Sequence, residues 1–377
     1  MAGKSKGSTG SRIIKILFIF LNLIFVIALG LSYAAPYVSP ETNSYLPFFG
    51  LGYSILVMIN LCFVVIWIFF NWRWALLSIL TIALGWNHIV SHIQYRSEHS
   101  YTAEEFPVKI LSYNVRNFDI YNYDKNWKSN IEKRDKILSL IKNNQPDILC
   151  FQEYVHDVNN DFSTTDTLIK MLQPVFTDTV FNIVSRNIIK FGLATFSKYP
   201  IAGHGQIAFD NSSANFCIYT DLVIRQDTVR VYNAHFESIR LSKKDIEYTH
   251  EVTETTDLDK HKKSSKRIFS LLRAAFIDRA SQSEKVAEHV ASCKYPVILC
   301  TDLNDTPASY AYRRLNNVLN DAFTAAGTGF GNTYAGIFPP IRIDFIMYSK
   351  HFNAYNFETF KVDYSDHYPI SCEMTRK

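Results

Sequence analysis

Side chains that can bind metal or transfer protons follow the apolar, strand-like segments beyond residue 100 of the chain. They are Asn114 (after KILSY), Glu153 (after DILCFQ), His235 (after VRVYNA), Asp302 and Asn304 (after PVILCT), Asp344 (inside IRIDFIMYS) and Asp366-His367 (before YPISC). Singly, each has an ordinary structural role as a cap, a surface acid or a buried histidine. Open α/β sheets place their sites at the carboxyl ends of strands, so the recurrence of this placement favours one shared site.

The oxygen ligands in this set suit a hard divalent cation. Mg²⁺ binds through one or two carboxylates, keeps several waters and contacts substrate phosphate. Glu153, Asn114 and one of Asp302 or Asp366 provide such ligands. Mn²⁺ accepts the same ligand types and is a second candidate. The six cysteines show no CxxC or Cys/His spacing, so a zinc site is not expected.

The chemistry that these residues suit is hydrolysis of a phosphate ester. A bound divalent ion would polarise a phosphoryl oxygen and offset the charge that develops on it. Asp302 or His367 could take the proton from an attacking water, and a neighbouring carboxylate would stabilise the resulting imidazolium. Asn304 and His235 can donate hydrogen bonds to the phosphoryl oxygens.

The elements that must position these residues form a mixed α/β pattern. Strands are predicted at 109–114, 147–152, 193–197, 218–224, 229–234 and 297–301, and helices at 130–142 and 268–291. Strand–helix–strand units therefore alternate with hairpin-like pairs. The polar, highly charged stretch 238–267 has little apolar content and is predicted to be an exposed insertion.

Residues 1–96 are predicted to be a membrane anchor that precedes the catalytic domain, residues 97–377. Apolar runs at about 13–33, 47–70 and 74–93 are long enough to span a bilayer. A cleaved signal peptide is the alternative for the first run, and the second run argues against it. The third run is weaker because polar residues interrupt its second half, namely Asn87, His88, Ser91 and His92.

Charge distribution suggests an orientation for this anchor. Of the 39 Lys/Arg and 35 Asp/Glu residues, residues 1–100 hold six and two, so 33 of each remain in 101–377. The formal charge of +4 thus lies in the first hundred residues, and the rest of the chain is neutral. Basic residues precede the first run, none lies in 34–46, and Arg73 follows the second run. Three spans then predict an integral protein of the inner (cytoplasmic) membrane with an extracytoplasmic catalytic domain, whereas two spans predict a cytoplasmic one.

The ordered motifs resemble those of the endonuclease/exonuclease/phosphatase superfamily. That superfamily includes DNase I-type nucleases, apurinic-site endonucleases, inositol polyphosphate 5-phosphatases and neutral sphingomyelinases. The matching segments are SYNVRNF (112–118), QE (152–153), FGLATFSKYPI (191–201), NAHFES (233–238), TDLND (301–305), GNTY (331–334), RIDFI (342–346) and SDHYPI (365–370). The resemblance covers about 108–375 and implies a four-layered α/β sandwich with a divalent-metal site at one end.

The resemblance also implies a role for each matching residue. Glu153 matches the family's metal-binding glutamate, Asn114 its metal- or phosphate-side asparagine and Asp366 a second metal-side carboxylate. Asp302 and Asn304 match the pair that orients nucleophile and phosphate, and Asp344 matches the acid that steadies the catalytic histidine, His367. His235 matches a catalytic or phosphate-binding histidine. Thr301 and Ala234 replace the usual Gly and Thr, and neither change removes a functional side chain.

The expected function is that of a membrane-anchored, divalent-metal-dependent phosphoesterase. Its substrate class stays open, because the fold does not select among nucleic acid, phospholipid head groups and inositol phosphates. The expected partners are that substrate and the lipid bilayer; no protein partner is expected. A nuclease would need a basic track, for which the candidates are Lys125, Lys128, Lys133, Arg134, Lys243, Lys244, Lys262 and Lys263. A catalytically silent, membrane-tethered binding module is the alternative outside enzymes. A transport or sensor unit is a weaker one, since the spans lack repeated buried charges.

Overall fold

In this computed structural model, the described residues are 9–95, 106–121, 131–157, 162–173, 175–185, 188–210, 214–239, 258–335 and 340–377. The chain divides into two compact units. One comprises the residues up to Val90 together with 308–310, and the other comprises 91–307 and 311–377.

The N-terminal unit consists of helices. They are α1 (Thr9–Ala34), α2 (Leu46–Leu51), α3 (Tyr53–Phe70), α4 (Trp72–Leu84) and α5 (Trp86–His92), whose last two residues belong to the second unit. Two described segments, Arg12–Tyr37 and Tyr53–Phe70, are long and apolar enough to cross a membrane. The predicted third span is not a single straight helix, because α4 and α5 are bent by 63° at a break. The described chain therefore has two candidate spans, or three if the bent pair is one span.

Polar side chains connect the helices inside this apolar unit. The buried Asn22 of α1 donates to Ser78 Oγ of α4 at 2.8 Å and accepts from Trp67 Nε1 of α3 at 3.1 Å. Asn60 of α3 donates to the Phe25 carbonyl at 3.1 Å. Interhelical hydrogen bonds of this kind hold helices together where lipid removes the hydrophobic drive for association.

The second unit contains twelve described strands and five described helices. The strands are β1 (Val108–Asn114), β2 (Ile148–Asp157), β3 (Phe176–Ser185), β4 (Ile189–Ser197), β5 (Ile201–Ala208), β6 (Phe216–Ile224), β7 (Asp227–His235), β8 (Val297–Asp302), β9 (Asn320–Asp321), β10 (Asp344–Tyr348), β11 (Phe352–Thr359) and β12 (Ile370–Arg376). The helices are α6 (Glu132–Asn144), α7 (Thr164–Met171), α8 (Leu258–Ala291), α9 (Tyr310–Asn316) and α10 (Ala322–Ala326).

The strands form two six-stranded sheets. The first has the order β11-β12-β1-β2-β4-β3, and the second has the order β5-β6-β7-β8-β10-β9. At the centre of each sheet is one parallel pair, β1 with β2 and β7 with β8, flanked by antiparallel strands. A parallel pair brings the carboxyl ends of its two strands to the same edge of the sheet.

Three apolar clusters fill the spaces between four layers. The central cluster contains residues from both sheets, such as Ile110 and Cys150 from the first and Val231 and Cys300 from the second. The outer face of the first sheet packs against α6 and α7, and that of the second packs against α8 and α9. The predicted four-layered α/β sandwich, preceded by apolar N-terminal helices, is confirmed.

Two sequence predictions of local structure differ from what is observed. The helix predicted at 268–291 begins earlier, at Leu258. The predicted insertion 238–267 therefore ends in helix, and its residues 240–257 lie outside the described residues. Strands β3, β5 and β11 were not among the predicted elements. Their side chains are partly exposed, so their sequences carry less of the continuous apolar signal that marks a buried strand.

A buried ion pair lies beside strand β10. Arg342 Nη2 is 2.7 Å from Asp321 Oδ2 and donates to the Ser91 carbonyl, also at 2.7 Å. The guanidinium carbon lies 4.5 Å from the ring centroids of both Phe323 and Phe345. The arginine is thus paired through Nη2 and packed against aromatic rings. This arrangement fixes the segment that leads into Asp344, two residues later.

We expect Arg342→Ala to lower the free energy of unfolding by about 3–5 kcal/mol, because it leaves Asp321 buried without its cation. Thermal unfolding of the detergent-solubilised chain measures the effect. The exposed pair Arg376–Asp227, 3.3 Å apart, provides the control. Arg376→Ala should cost less than about 1 kcal/mol, and equal losses in the two variants would contradict this interpretation.

Candidate active site

The alternation of side chains along strands explains why polar groups meet at one end of the sandwich. Successive residues point to opposite faces, so residues two apart share a face. The inward positions change from apolar to polar toward one end: Ile110, Ser112 and Asn114 on β1; Cys150 and Gln152 on β2; Val231, Asn233 and His235 on β7; Cys300 and Asp302 on β8; Ile346 and Asp344 on β10. The apolar layer between the sheets therefore ends in a polar cluster.

Strand register places these end residues side by side. In the second sheet, Asp302 pairs with His235 on one side and with Asp344 on the other. In the first sheet, Asn114 pairs with Gln152. The chain reverses direction into β10 and β12 at this same end. Those strands accordingly contribute groups from their starts, Asp344 and the preceding His367.

Asn114 connects the two sheets within the cluster. Its Nδ2 donates to Glu153 Oε1 at 3.1 Å and to Asp302 Oδ2 at 2.8 Å. Its Oδ1 accepts from the Arg116 backbone N–H at 2.9 Å, which fixes the orientation of the amide. One buried amide thus holds together two carboxylates from opposite sheets. A metal ion that used Asn114 Oδ1 would share this oxygen with the Arg116 N–H.

His235 faces the same two carboxylates. Its Nε2 lies 3.5 Å from Asp302 Oδ2 and 3.7 Å from Glu153 Oε1. The atom is buried and has no hydrogen-bond partner among the described residues. An unsatisfied buried donor or acceptor costs about 1–3 kcal/mol. The position of His235 Nε2 therefore suits a hydrogen bond to a ligand or substrate oxygen.

His367 and Asp344 form a buried pair next to Asp302. The Nδ1 of His367 is 2.9 Å from Asp344 Oδ2, and its Nε2 is 3.8 Å from Asp302 Oδ2. Burial alone would lower the pKa of His367, but the carboxylates of Asp344 and Asp302 outweigh burial and raise it. Burial also raises the pKa of Asp344, and His367 works against that rise. The carboxylate therefore holds the ring through Nδ1 and leaves Nε2 directed at the site.

Two residues of the GNTY segment, Thr333 and Tyr334, contact this pair or the start of its strand. The buried Thr333 Oγ1 accepts from the backbone N–H groups of Ile343 and Asp344, at 3.0 and 3.1 Å. The ring of Tyr334 meets that of His367 edge-on, with centroids 5.1 Å apart. Burial, followed by the charge of Asp366, raises the pKa of the Tyr334 hydroxyl. Thr333 thus positions the start of β10, and Tyr334 packs beside the imidazole.

Asp366 lies at the outer side of the cluster, next to Arg116. The Arg116 Nε is 3.5 Å from Asp366 Oδ2, and both side chains are partly exposed. Ser365 Oγ lies 3.0 Å from the Asn114 carbonyl and 3.2 Å from Asp366 Oδ1. Asp366 is therefore tied to the β1 end through Ser365, with a carboxylate that solvent can reach.

Several residues at this end have left-handed backbone conformations. Glu153 has φ of 48° and Asn304 has φ of 54°, and residues 116–119 all have positive φ. The backbone N–H of Asn304 donates a hydrogen bond to Asp302 Oδ1 at 2.9 Å. Its Nδ2 donates to the Phe236 carbonyl at 3.1 Å. Such conformations cost free energy in non-glycine residues, and strain of this kind gathers at functional sites.

The chemistry of the cluster fits a divalent cation. The ligand atoms of Asp302, Asp344 and His367 all lie within 4.8 Å of one another. Glu153 provides a further carboxylate, which accepts a hydrogen bond from Asn114. The Nε2 of His235, which has no hydrogen-bond partner among the described residues, lies near the carboxylates of both Glu153 and Asp302. Like-charged carboxylates this close favour a bound cation or proton. The described residues thus contain an acidic, oxygen-rich group that could hold a metal.

Arg279 is a contributor that the sequence reasoning missed. This buried residue of α8 bonds to Asp305 Oδ2 through Nε at 3.1 Å and to the Glu237 carbonyl through Nη1 at 2.9 Å. Gln282, one turn later, accepts from the Glu237 N–H at 2.9 Å. Helix α8 therefore holds the segments that follow both His235 and Asp302. The available signal was a charged residue on the apolar face of a predicted helix.

Two of the basic residues proposed for a nucleic-acid track have acidic partners. Lys133 pairs with Asp119 at 2.9 Å, and Arg134 pairs with Asp135 at 2.6 Å. The candidates Lys125, Lys128, Lys243 and Lys244 lie outside the described residues, as does the Lys263 side chain; Lys262 is exposed.

We expect Arg279→Met to lower the free energy of unfolding by about 3–5 kcal/mol, because Asp305 would stay buried without its partner. Burial already raises the pKa of Asp305, and Arg279 opposes that rise. Thermal unfolding of the solubilised chain measures the change. Lys136→Ala, which removes an exposed i,i+4 pair with Glu132, is the control and should shift stability by less than about 0.5 kcal/mol. A stable Arg279→Met variant would contradict the structural role.

The chain resembles known families and solved structures. The model of a domain of unknown function matches residues 15–92, and no curated protein matches the chain. Among solved structures, an endonuclease/exonuclease/phosphatase from Bacteroides vulgatus is 16% identical, with a TM-score of 0.52 over 72% of this chain and 100% of that chain. A family protein from Leptotrichia buccalis is 16% identical (TM-score 0.50; 70% and 98% covered). Another from Beutenbergia cavernae is 15% identical (TM-score 0.50; 72% of each chain).

These structures share the fold of the second unit. The model of the Endonuclease/Exonuclease/phosphatase family matches residues 111–367, which include every site residue predicted from the sequence. That match covers more than half of the chain, and the chain belongs to this family.

Proposed function

We propose that this chain is a divalent-metal-dependent phosphoesterase that hydrolyses a phosphodiester or phosphomonoester bond by attack of water. Proteins of this family are generally phosphoester hydrolases. The observation that carries the proposal is the convergence of Glu153 and Asp302 on one Asn114 amide, beside the unpartnered Nε2 of His235. A structural core has no need for two carboxylates and an unsatisfied imidazole at one point.

Glu153, Asn114 and Asp366 are proposed to hold Mg²⁺, with Mn²⁺ able to replace it. Asp302, Asp344 and His367 form the adjoining group with metal-binding character. When bound, the ion polarises a phosphoryl oxygen and offsets developing negative charge. Carboxylate and amide oxygens are the ligands that a hard cation prefers.

His367 and Asp302 are proposed to manage the proton of the attacking water. The water gives its proton to Asp302 or to His367, whose Nε2 lies 3.8 Å from Asp302 Oδ2. Asp344 keeps the imidazole oriented through its bond to Nδ1 and stabilises the positive charge of a protonated ring. Oriented acid–base groups of this type contribute about 10²–10⁴-fold to rates.

Asn304 and His235 are proposed to contact the phosphoryl oxygens. Asn304 is held next to Asp302 by its backbone bond, and His235 pairs with Asp302 across the β7–β8 register. Both can donate hydrogen bonds to an oxyanion, which stabilises the transition state more than the ground state when charge develops there.

The substrate is a phosphate ester, with nucleic acid, phospholipid head groups and inositol phosphates as the candidate classes. The described apolar helices support a bilayer anchor for the catalytic domain. We place the chain in the inner membrane with the catalytic domain on the extracytoplasmic side if the bent pair α4–α5 counts as one span. An anchored site would favour substrates at or near the membrane surface.

We expect the full chain, purified in detergent, to hydrolyse bis(p-nitrophenyl) phosphate or p-nitrophenyl phosphate with Mg²⁺ or Mn²⁺ and to lose activity in EDTA. His367→Ala should lower kcat by about 10²–10⁴-fold, because it removes the proton-transfer group. Release of p-nitrophenolate measures both rates, and the preferred ester separates diesterase from monoesterase activity. Plasmid DNA, RNA, sphingomyelin and inositol phosphates then identify the class.

His351→Ala is the matched control, since His351 is an exposed histidine whose Nδ1 lies near Ser349 Oγ. It should leave kcat unchanged. Equal activity of His367→Ala and the unmodified chain would overturn the catalytic role. A folded chain with neither metal binding nor turnover of any ester would instead favour a silent binding module.

A further inference from the structure

Strand β2 contains a bulge at the residue proposed to bind metal. Its ladder with β4 pairs Phe151 with Ala194 and then Tyr154 with Gly192, so Gln152 and Glu153 together face Leu193 alone. Glu153 has φ of 48°. An extra residue with a left-handed conformation bends a strand locally and redirects its side chains.

Without the bulge, Glu153 would point away from the site. Cys150 and Gln152 face the space between the sheets, so strict alternation assigns the next residue, Glu153, to the outer face. Yet the Glu153 carboxylate lies 3.1 Å from Asn114 Nδ2 and 3.7 Å from His235 Nε2. The bulge therefore places Gln152 and Glu153, adjacent in sequence, at the same end of the inter-sheet space.

Asn233 holds this bulge from the opposite sheet. This fully buried residue of β7 donates from Nδ2 to the carbonyls of Phe151 and Ala194, at 3.1 and 3.0 Å, the last regular pair before the bulge. Its Oδ1 accepts from Gln152 Nε2 at 2.8 Å. Gln152 also donates to Ser112 Oγ at 3.3 Å. One amide thus bonds to both sides of the interrupted ladder and to the bulged strand itself.

Strand β3 packs closely against β4 beside the bulge. A Cβ at Gly192 would collide with the Val180 carbonyl of β3. The β3–β4 ladder also shifts at this point, between Phe181 and Ile183. The bulge thus lies between a closely packed pair of strands and the Asn233 amide.

We propose that Asn233, with Gln152, is a positioning residue that keeps Glu153 directed at the metal site by stabilising the β2 bulge. It touches neither substrate nor reacting atoms. The inference rests on the proposed metal-dependent hydrolysis, and it adds a specific cause for the placement of Glu153. Removing a residue that orients a metal ligand typically weakens metal affinity 10–100-fold.

The test is Asn233→Asp in the full chain, with Mn²⁺ affinity measured by electron paramagnetic resonance of the free ion. Aspartate keeps the shape and the acceptor but loses both donors to Phe151 and Ala194. We expect the Kd for Mn²⁺ to rise at least about 10-fold. Turnover of p-nitrophenyl esters should recover in part at high Mn²⁺, as weakened metal binding requires.

Thr220→Val is the matched control, because Thr220 Oγ1 donates to Asp178 Oδ2 at 2.7 Å across the same two sheets, and this bond involves neither Asn233 nor the bulged residues of β2. It should lower the unfolding temperature without changing the Kd for Mn²⁺. If Asn233→Asp and Thr220→Val leave Mn²⁺ affinity equally unchanged, Asn233 has a structural role alone and the inference fails.

Gln152→Met decides the question if Asn233→Asp does not fold. It removes the donor that orients Asn233 and leaves the two carbonyl bonds in place, so the Kd should rise at least about 3-fold relative to Thr220→Val, below the range for full loss. An unchanged Kd in folded Gln152→Met overturns the inference. If the unmodified chain does not bind Mn²⁺, the proposed function itself is overturned. If the unmodified chain binds Mn²⁺ and the variants bind it equally well, only the role of Asn233 is overturned.

Discussion

The face-to-face packing of two sheets, with one apolar layer between them, constrains the position of every candidate catalytic side chain. Because side chains alternate along a strand, a strand that buries Cys300 or Val231 in this layer must direct every second residue to the same side. At one end of the layer, the inward-facing residues are Asp302 and His235. Their neighbours there are polar groups, with solvent or substrate beyond them. The site is thus the polar end of the central core.

Strand direction decides which end this is. The parallel pairs β1–β2 and β7–β8 both finish there, and the antiparallel β10 and β12 start there. Groups at the ends of β1, β7 and β8, at the bulge within β2 and near the starts of β10 and β12 therefore meet without any long loop to carry them. A site built on strands is held more precisely than one on loops, which suits chemistry that needs exact placement of water and phosphate.

Holding charge at this end costs stability, and the surrounding structure offsets that cost. Left-handed conformations at Glu153 and Asn304 and the unpartnered Nε2 of His235 are each unfavourable by themselves. Buried cations, Arg279 and Arg342, bind the adjoining segments through Asp305 and Asp321. Removing either arginine would leave the neighbouring carboxylate buried without a cation. These ion pairs therefore stabilise the segments that carry the site.

The sequence by itself determined the fold class and the order of the polar groups, because buried strands, their end residues and family motifs are local patterns. It placed Asn114, Glu153, His235 and Asp302 after strands, Asp344 inside one and His367 before the last. The structure brings these groups together, although β2 continues past Glu153 to Asp157. It also marked the apolar N-terminal helices, although the 63° bend between α4 and α5 was not evident from hydropathy.

Only the tertiary structure decided how Glu153 reaches the site and what holds it there. A bulge depends on the partner strand, and the Asn233 amide acts from a residue about 80 positions along the chain. The same is true of Arg279 and Arg342, whose partners lie in other elements. Period and propensity report the environment of a residue along its own strand or helix, whereas a buried hydrogen bond between distant residues depends on which faces the fold brings into contact.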